Sequence, residues 1–202
     1  MARFHRKAAR AHSRLLVPTI DKLLKKARLR LKDIDGFCIG IGPGSFTGLR
    51  IGVTTVKGLA YSLGKPIVAV PTLDIIAHNA RNFKGIICPV LDARKGKVYA
   101  CLYKSDGKVI KRISKYLLLP MEELARKVNG EVLFLGDASG QIFAGDIERL
   151  FNGRTRKKLD WHPRAEVVAQ LSLEHFRKKR FVTPEDLEPL YLYSKECDIT
   201  GW

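Results

Sequence analysis

A glycine-rich loop between two patterned segments constrains this chain more than any other stretch. Residues 37–41 form a short apolar run that predicts a buried strand, and residues 49–63 predict a helix. The glycines and proline of residues 42–44 lie where the chain must turn sharply, because glycine accepts a positive φ without steric cost. Ser45 or Thr47 can cap the helix by accepting a backbone N–H bond. A strand, a tight loop and a helix in this order indicate an α/β protein.

Three roles are open for this loop. A helix N-terminus behind glycines can bind phosphate, but no Lys-Ser/Thr pair follows Gly48 as in a Walker loop. Thr47 stands where the dinucleotide fingerprint needs a glycine. Gly48 and Gly52 share one helix face, since residues four apart lie above one another. That nearly bare face would let a second helix approach closely, and this helix could belong to the same chain or to a partner.

The loop and its helix resemble a known family. The eleven residues 42–52 are similar to the signature of the bacterial TsaB family, also called YeaZ. Further similar segments are residues 12–16, 57–60, 66–73 and 91–94, with a weak match at 188–192. The resemblance implies an actin-like ATPase or RNase-H-like fold with two lobes. It also implies a role in making threonylcarbamoyladenosine, next to the anticodon of tRNA, as a non-catalytic partner of the related TsaD enzyme.

The resemblance also implies where partners bind. Helix faces near residues 13–28 and 48–60 are expected to dock a TsaD-like enzyme or a second copy of the chain. The predicted interface residues are Leu16, Ile20, Gly44, Ser45, Phe46, Thr47, Gly48, Leu49, Arg50, Gly52 and Val56. ATP and metal are expected on the partner enzyme, so this chain is predicted to need no cofactor. A TsaE-like ATPase would be reached through the complex, and tRNA directly or indirectly, in the cytoplasm and away from membranes.

The first predicted helix is amphipathic and strongly basic. Its apolar stripe consists of Leu16, Ile20, Leu23, Leu24 and Ala27, with Lys22, Lys25, Lys26 and Arg28 opposite. Residues 1–32 hold eleven Lys and Arg against one acid, a net charge of +10 out of the chain's +17. Such a field attracts RNA or an acidic protein. No RNA-recognition motif accompanies it, and an ordinary solvated face is the alternative.

Motifs for catalysis and metal binding are missing from the sequence. It has no H-x-x-x-H pair, no G-x-S-x-G elbow, no Walker loop and no C-x-x-C pair. Cys38, Cys88 and Cys101 lie in apolar runs and are predicted to be buried thiols. A non-catalytic subunit is therefore favoured, with no catalytic or metal-binding residue. A stand-alone actin-like nucleotide-binding ATPase or hydrolase is the second hypothesis.

The order of elements predicts two lobes, residues 1–82 and 83–202. The second begins where αβ alternation gives way to an antiparallel meander, with one strand over residues 98–104, an Asp106-Gly107 hairpin turn and a basic loop over residues 154–158. Compared with the TsaB family, the first lobe lacks its opening strands. The strand at residues 37–41 is then expected to expose an unpaired edge, to be covered either by residues encoded upstream or by another chain.

Overall fold

The computed structural model describes residues 2–4, 12–128, 130–136, 144–151, 155–157 and 162–193. The chain divides into two compact units. Unit 1 comprises Met1–Pro71 and Ala165–Pro189, and unit 2 comprises Thr72–Arg164 and Leu190–Trp202. Unit 1 is thus assembled from two separate stretches of sequence.

Unit 1 has helices on a small parallel sheet. Its elements are α1 (His12–Ala27), a short 3-10 turn (Leu31–Asp33), β1 (Phe37–Gly40), α2 (Phe46–Leu63), β2 (Ile67–Val70) and, far later in the chain, α6 (Ala165–Arg177). β1 and β2 pair in parallel, from Phe37 opposite Ile67 to Gly40 opposite Val70. A parallel pair needs a crossover connection, which α2 supplies. The core forms where Val53 and Ala60 of α2 pack with Ile67 and Leu187.

Unit 2 is organised around one long strand. Its elements are α3 (Thr72–His78), β3 (Lys84–Arg94), β4 (Lys97–Ala100), β5 (Tyr103–Asp106), β6 (Ile110–Arg112), β7 (Leu117–Pro120), α4 (Met121–Lys127), β8 (Val132–Leu135), α5 (Ala144–Phe151) and β9 (Thr155–Lys157). The first half of β3 pairs with antiparallel β5 and parallel β8, and its second half pairs with antiparallel β4. β6 extends the sheet beyond β5, β7 beyond β4, and β9 beyond β8.

Two apolar clusters cover this sheet. One cluster joins α4 and α5 to the strands through Leu124, Ile147, Phe151 and Phe134. The other joins α3 to the strands through side chains that include Ile76. The sheet of unit 2 therefore has helices against both faces, but only along part of its width.

The structure corrects several predicted elements. α3 packs with unit 2, so the two units divide at Pro71 and not between residues 82 and 83, and α6 returns to unit 1. The single strand predicted over residues 98–104 is two strands, because the ladder breaks between β4 and β5. Residues 155–157 of the predicted basic loop form β9. A Pro-containing segment before α4 adds strand β7, which the sequence pattern did not reveal.

The environment of β1 differs from a buried central strand. Within the described parts of the chain, β1 pairs with β2 alone. Cys88 and Cys101 are buried as predicted, whereas Cys38 of β1 is exposed. Cys197 lies outside the described residues. An apolar strand that pairs on one side only and exposes one side chain, here Cys38, is typical of a sheet edge.

Candidate docking surface at the glycine loop and the first two helices

The glycine loop turns the chain from β1 into α2. Gly42 has φ +105°, and the Gly42–Pro43 peptide is cis. Both residues are buried, whereas the chain from Gly44 to Thr47 is exposed. Ser45 is the N-cap, since its Oγ accepts the backbone N–H of Gly48 at 3.3 Å. The predicted cap is confirmed, and α2 begins at Phe46, earlier than the apolar pattern indicated.

An aromatic ring and a cation are paired on the exposed first turn of α2. The guanidinium carbon of Arg50 lies 3.9 Å from the ring centroid of Phe46. Phe46 is 44% exposed, which is high for a phenylalanine. The guanidinium fixes the ring orientation while leaving part of the ring open. Such pairs of Phe and Arg suit the centre of a protein interface.

The apolar stripe of α1 is only partly buried within the chain. Leu16, Ile20, Leu23 and Leu24 are half-buried, and Val17 is 55% exposed. No α1 residue belongs to the core cluster of unit 1. α1 packs along α2, but this contact covers its apolar side only in part. Because most of a helix's stability in a protein comes from covering its apolar face, the remaining surface favours a partner.

The glycines of α2 have different surroundings. A Cβ on Gly52 would lie 3.3 Å from Cδ1 of Ile39 in β1, so this position packs against the unit's own sheet. A Cβ on Gly48 would meet only the capping Ser45, and one on Gly44 would meet no atom within 4 Å. The intramolecular alternative therefore applies at Gly52. A helix of a partner could approach closely only at Gly44 and Gly48.

The remaining predicted interface residues fall into two groups. Thr47 is exposed beside Phe46 and Arg50, and Leu49 is half-buried. Val56 packs against the core cluster of unit 1, so it is not available in full to a partner. The structure thus brings the predicted residues together at the start of α2 and turns the middle of that helix inward.

The basic side of α1 points to solvent. Lys22, Lys25, Lys26 and Arg28 are all exposed, as the pattern predicted. Lys25 pairs with Asp21 at 2.7 Å, one turn earlier on the same helix. Exposed cations near a helix C-terminus also interact favourably with the helix dipole. Part of this charge is therefore explained by the helix itself.

A polar network in unit 2 was not predicted. The Asp74 carboxylate accepts the hydroxyl of Tyr103 in a short hydrogen bond, and the hydroxyl of Tyr116 at 2.9 Å and 3.0 Å. Burial, together with the Asp74 charge, raises the pKa of both tyrosines. Three residues so far apart in sequence show no common spacing, so only the fold reveals them. The network joins α3 to β5 and to the residue just before β7.

Neither a metal site nor a membrane-spanning helix is found among the described residues. They contain no group of three His, Cys, Asp or Glu side chains placed to hold a metal ion. None of their helices is both long and apolar enough to cross a bilayer.

Comparisons with known proteins connect the chain to tRNA threonylcarbamoyladenosine biosynthesis. Residues 5–144 match the family model described as TsaD, tRNA N6-adenosine threonylcarbamoyltransferase. The chain is 35% identical over 200 residues to the Haemophilus influenzae tRNA threonylcarbamoyladenosine biosynthesis protein TsaB, covering 92% of this chain and 81% of that protein. The Escherichia coli TsaB protein is 30% identical over 189 residues, covering 91% and 81%. The Bacillus subtilis TsaB protein is 38% identical over 128 residues, covering 62% of this chain and 56% of that protein.

A solved structure has the same fold. The YeaZ protein from Pseudomonas aeruginosa superposes with a TM-score of 0.78 at 27% identity, covering 94% of this chain and 88% of the other. This agreement, with the TsaD family match, supports the predicted actin-like or RNase-H-like fold. The TsaD match covers only part of the chain, whereas the relatives that align over nearly all of it are TsaB proteins. The chain therefore belongs to the TsaB family of tRNA threonylcarbamoyladenosine biosynthesis proteins.

Proposed function

We propose that this chain is a non-catalytic subunit that docks a TsaD-type enzyme for tRNA threonylcarbamoyladenosine synthesis. The docking surface consists of Leu16, Val17 and Ile20 of α1 and Phe46, Leu49 and Arg50 of α2. The observation that carries this proposal is the incomplete burial of α1's apolar stripe. TsaB relatives and the TsaD family match connect the chain to the same biosynthetic system.

The energetics favour a partner at this surface. Burying a Val, Leu, Ile or Phe side chain contributes roughly 1.5–3 kcal/mol. Leu16 and Ile20 obtain only part of that gain within the chain, and Val17 obtains less. A partner that covers all three side chains would gain the rest of this burial free energy on binding. The Phe46 and Arg50 pair, at the start of the helix against which α1 packs, would add an aromatic and guanidinium anchor.

The docking surface can be tested with two glutamine variants of α1. Ile20→Gln places a polar group in the half-buried stripe, and Lys22→Gln, two residues along the same helix, changes its exposed side. We expect Ile20→Gln to weaken association with the TsaD-type enzyme about tenfold or more, and Lys22→Gln to change it little. Isothermal titration calorimetry measures both affinities, with thermal melts to check folding.

Light scattering of the chain alone tests whether a second copy of the chain, and not the enzyme, occupies this surface. A homodimer that dissociates in Ile20→Gln, combined with an unchanged affinity for the enzyme, would assign the surface to self-association. Equal enzyme affinities for both glutamine variants would contradict the proposed site. Gly52→Leu is unsuitable here because Gly52 packs against Ile39 and the variant would disturb the fold of unit 1.

The second functional hypothesis, a stand-alone ATPase, has a separate test. We propose that the ATP and metal of the reaction bind to the partner enzyme, so the purified chain is expected to hydrolyse no ATP above background. A phosphate-release assay with and without Mg²⁺ measures this. Hydrolysis that disappears when Ser45 or Thr47 is replaced by alanine would show that the glycine loop has an activity of its own.

A further inference from the structure

The outer face of the β5–β6 hairpin brings two lysines together. Lys104 of β5 and Lys111 of β6 are cross-strand partners, so their side chains project from the same side of the sheet. Both are exposed. None of the ion pairs among the described residues includes Lys104 or Lys111, although the Lys111 charge acts on the nearby Asp106 carboxylate. Like charges placed directly opposite on a sheet are destabilising, and the fold itself does not explain the pair.

This face, called the hairpin face below, also carries exposed aliphatic residues. Val109 is 53% exposed and Ile113 is 52% exposed, one on each side of Lys111 along the chain. Val109 and Ile113 flank β6, and backbone hydrogen bonds with Asp106 and Leu102 continue the hairpin pairing through them. Because side chains alternate along paired segments, both lie on the same side as the lysines, and so does Asp106. Among the described residues, α4 packs mainly on β4 and β7 and α5 packs mainly on β9, so the β5–β6 hairpin is not one of their main contacts.

Further cations surround the hairpin. Residues 103–116 contain four lysines and one arginine but only one acid, Asp106. The Asp106 carboxylate accepts the backbone N–H groups of Val109 and Lys108, both at 2.8 Å. These bonds lower the pKa of Asp106, with the Val109 bond contributing most. The carboxylate is therefore engaged in the turn, and the hairpin presents a net positive surface.

Protection against aggregation explains only one of the two lysines. Edge strands often carry lysine because it blocks pairing with another chain. Lys111 lies on the edge strand β6, but Lys104 lies on β5, between β3 and β6. A positive charge on an interior strand directly behind the edge lysine favours an anionic ligand that spans both strands.

We propose that the hairpin face binds the phosphate backbone of RNA, with Lys104 and Lys111 contacting neighbouring phosphates. The choice of RNA rests on the proposed function, in which tRNA is the molecule modified. None of the residues on this face is aromatic, so it offers no platform for base stacking and predicts backbone contact without sequence readout. Val109 and Ile113 would pack against riboses. An acidic protein segment is the other class of polyanion that this charge could attract.

The test compares salt-dependent RNA binding by three forms of the full chain. Fluorescence anisotropy with a labelled tRNA transcript gives the affinity between about 50 and 200 mM salt. The variant Lys104→Gln/Lys111→Gln is expected to bind about tenfold more weakly at the lowest salt and to reduce the salt slope by about 2, one per lysine. Lys104→Arg/Lys111→Arg keeps both charges and should keep the wild-type slope.

The matched control removes two charges elsewhere in unit 2. Lys95 and Lys97 are exposed at the turn beyond the other end of β3, so Lys95→Gln/Lys97→Gln changes the net charge equally. We expect this control to retain most of the affinity for tRNA. An equal loss in the control would show a general charge effect and overturn the assignment. Binding of poly-L-glutamate that depends on Lys104 and Lys111, without such dependence for tRNA, would overturn it in favour of an acidic protein.

The result of the tRNA-binding test can be distinguished from the result of the enzyme-docking test. The glutamine variants at the hairpin should dock the TsaD-type enzyme with wild-type affinity, because the docking surface lies in unit 1. Lost tRNA binding with intact docking supports the RNA contact. Absent docking in the wild-type chain, together with lysine-dependent tRNA binding, would contradict the proposed function and still support the hairpin face.

Discussion

Replacing Gly136 with alanine is expected to unfold unit 2. A Cβ at this position would lie 1.7 Å from the carbonyl oxygen of Val90 and 2.7 Å from its carbonyl carbon. The obstructing atoms are backbone atoms of β3, the central strand, so no side-chain rotation relieves the clash. Gly136 also has φ +139°, a conformation that strains any residue with a side chain. We expect a loss of about 4 kcal/mol or more in the free energy of unfolding.

Gly130→Ala is the matched control for Gly136→Ala. Gly130 also has a positive φ, +86°, but a Cβ there would meet no atom within 4 Å. The Gly130→Ala variant should therefore lose only about 1–2 kcal/mol in the free energy of unfolding, the cost of holding an alanine at a positive φ. Urea unfolding followed by far-UV circular dichroism measures both variants. Similar losses in the two would show that the close approach of Gly136 to β3 contributes little.

Asp74→Ala is the second change with a large expected effect. It removes the acceptor for the hydroxyls of Tyr103 and Tyr116, and Tyr103 is only 2% exposed. A buried hydroxyl without a partner costs about 1–3 kcal/mol, because it has left water and gained nothing in return. With two hydroxyls affected to different degrees, we expect a loss of about 3 kcal/mol. The same urea unfolding experiment measures it.

Two further variants show whether the network or the helix position of Asp74 matters. Tyr116→Phe removes one donor and leaves the bond to Tyr103, so it should cost about 1 kcal/mol. Adding Tyr116→Phe to Asp74→Ala should cost less than the sum of the single losses, because the two groups interact directly. Strict additivity would mean that Asp74 stabilises the first turn of α3 independently of the tyrosines.

Local signals explain what the sequence predicted correctly. The glycine loop, the Ser45 cap, α2 and the Asp106-Gly107 turn each depend on a few adjacent residues whose conformational preferences are strong. The motif around the loop also led to the family.

Contacts between distant residues explain what was missed. α6 joins unit 1 although the stretch Thr72–Arg164 of unit 2 separates them in sequence, and no periodicity within α6 indicates which sheet it covers. The break between β4 and β5 follows from a change of pairing partners along β3, which a single strand's sequence does not show. For the proposed docking surface, the pattern identified the apolar stripe of α1 but could not show that the chain buries it only in part.

The split composition of unit 1 has a consequence during protein synthesis. A ribosome releases β1, α2 and β2 well before α6, because the whole stretch Thr72–Arg164 is translated in between. During that interval the sheet of unit 1 has α2 against it but lacks α6, while most of unit 2 is already complete. Domains generally fold as they emerge, so the order of folding here runs against the order of the sequence. The nascent chain would present an apolar two-stranded sheet to chaperones until residue 177 has left the exit tunnel.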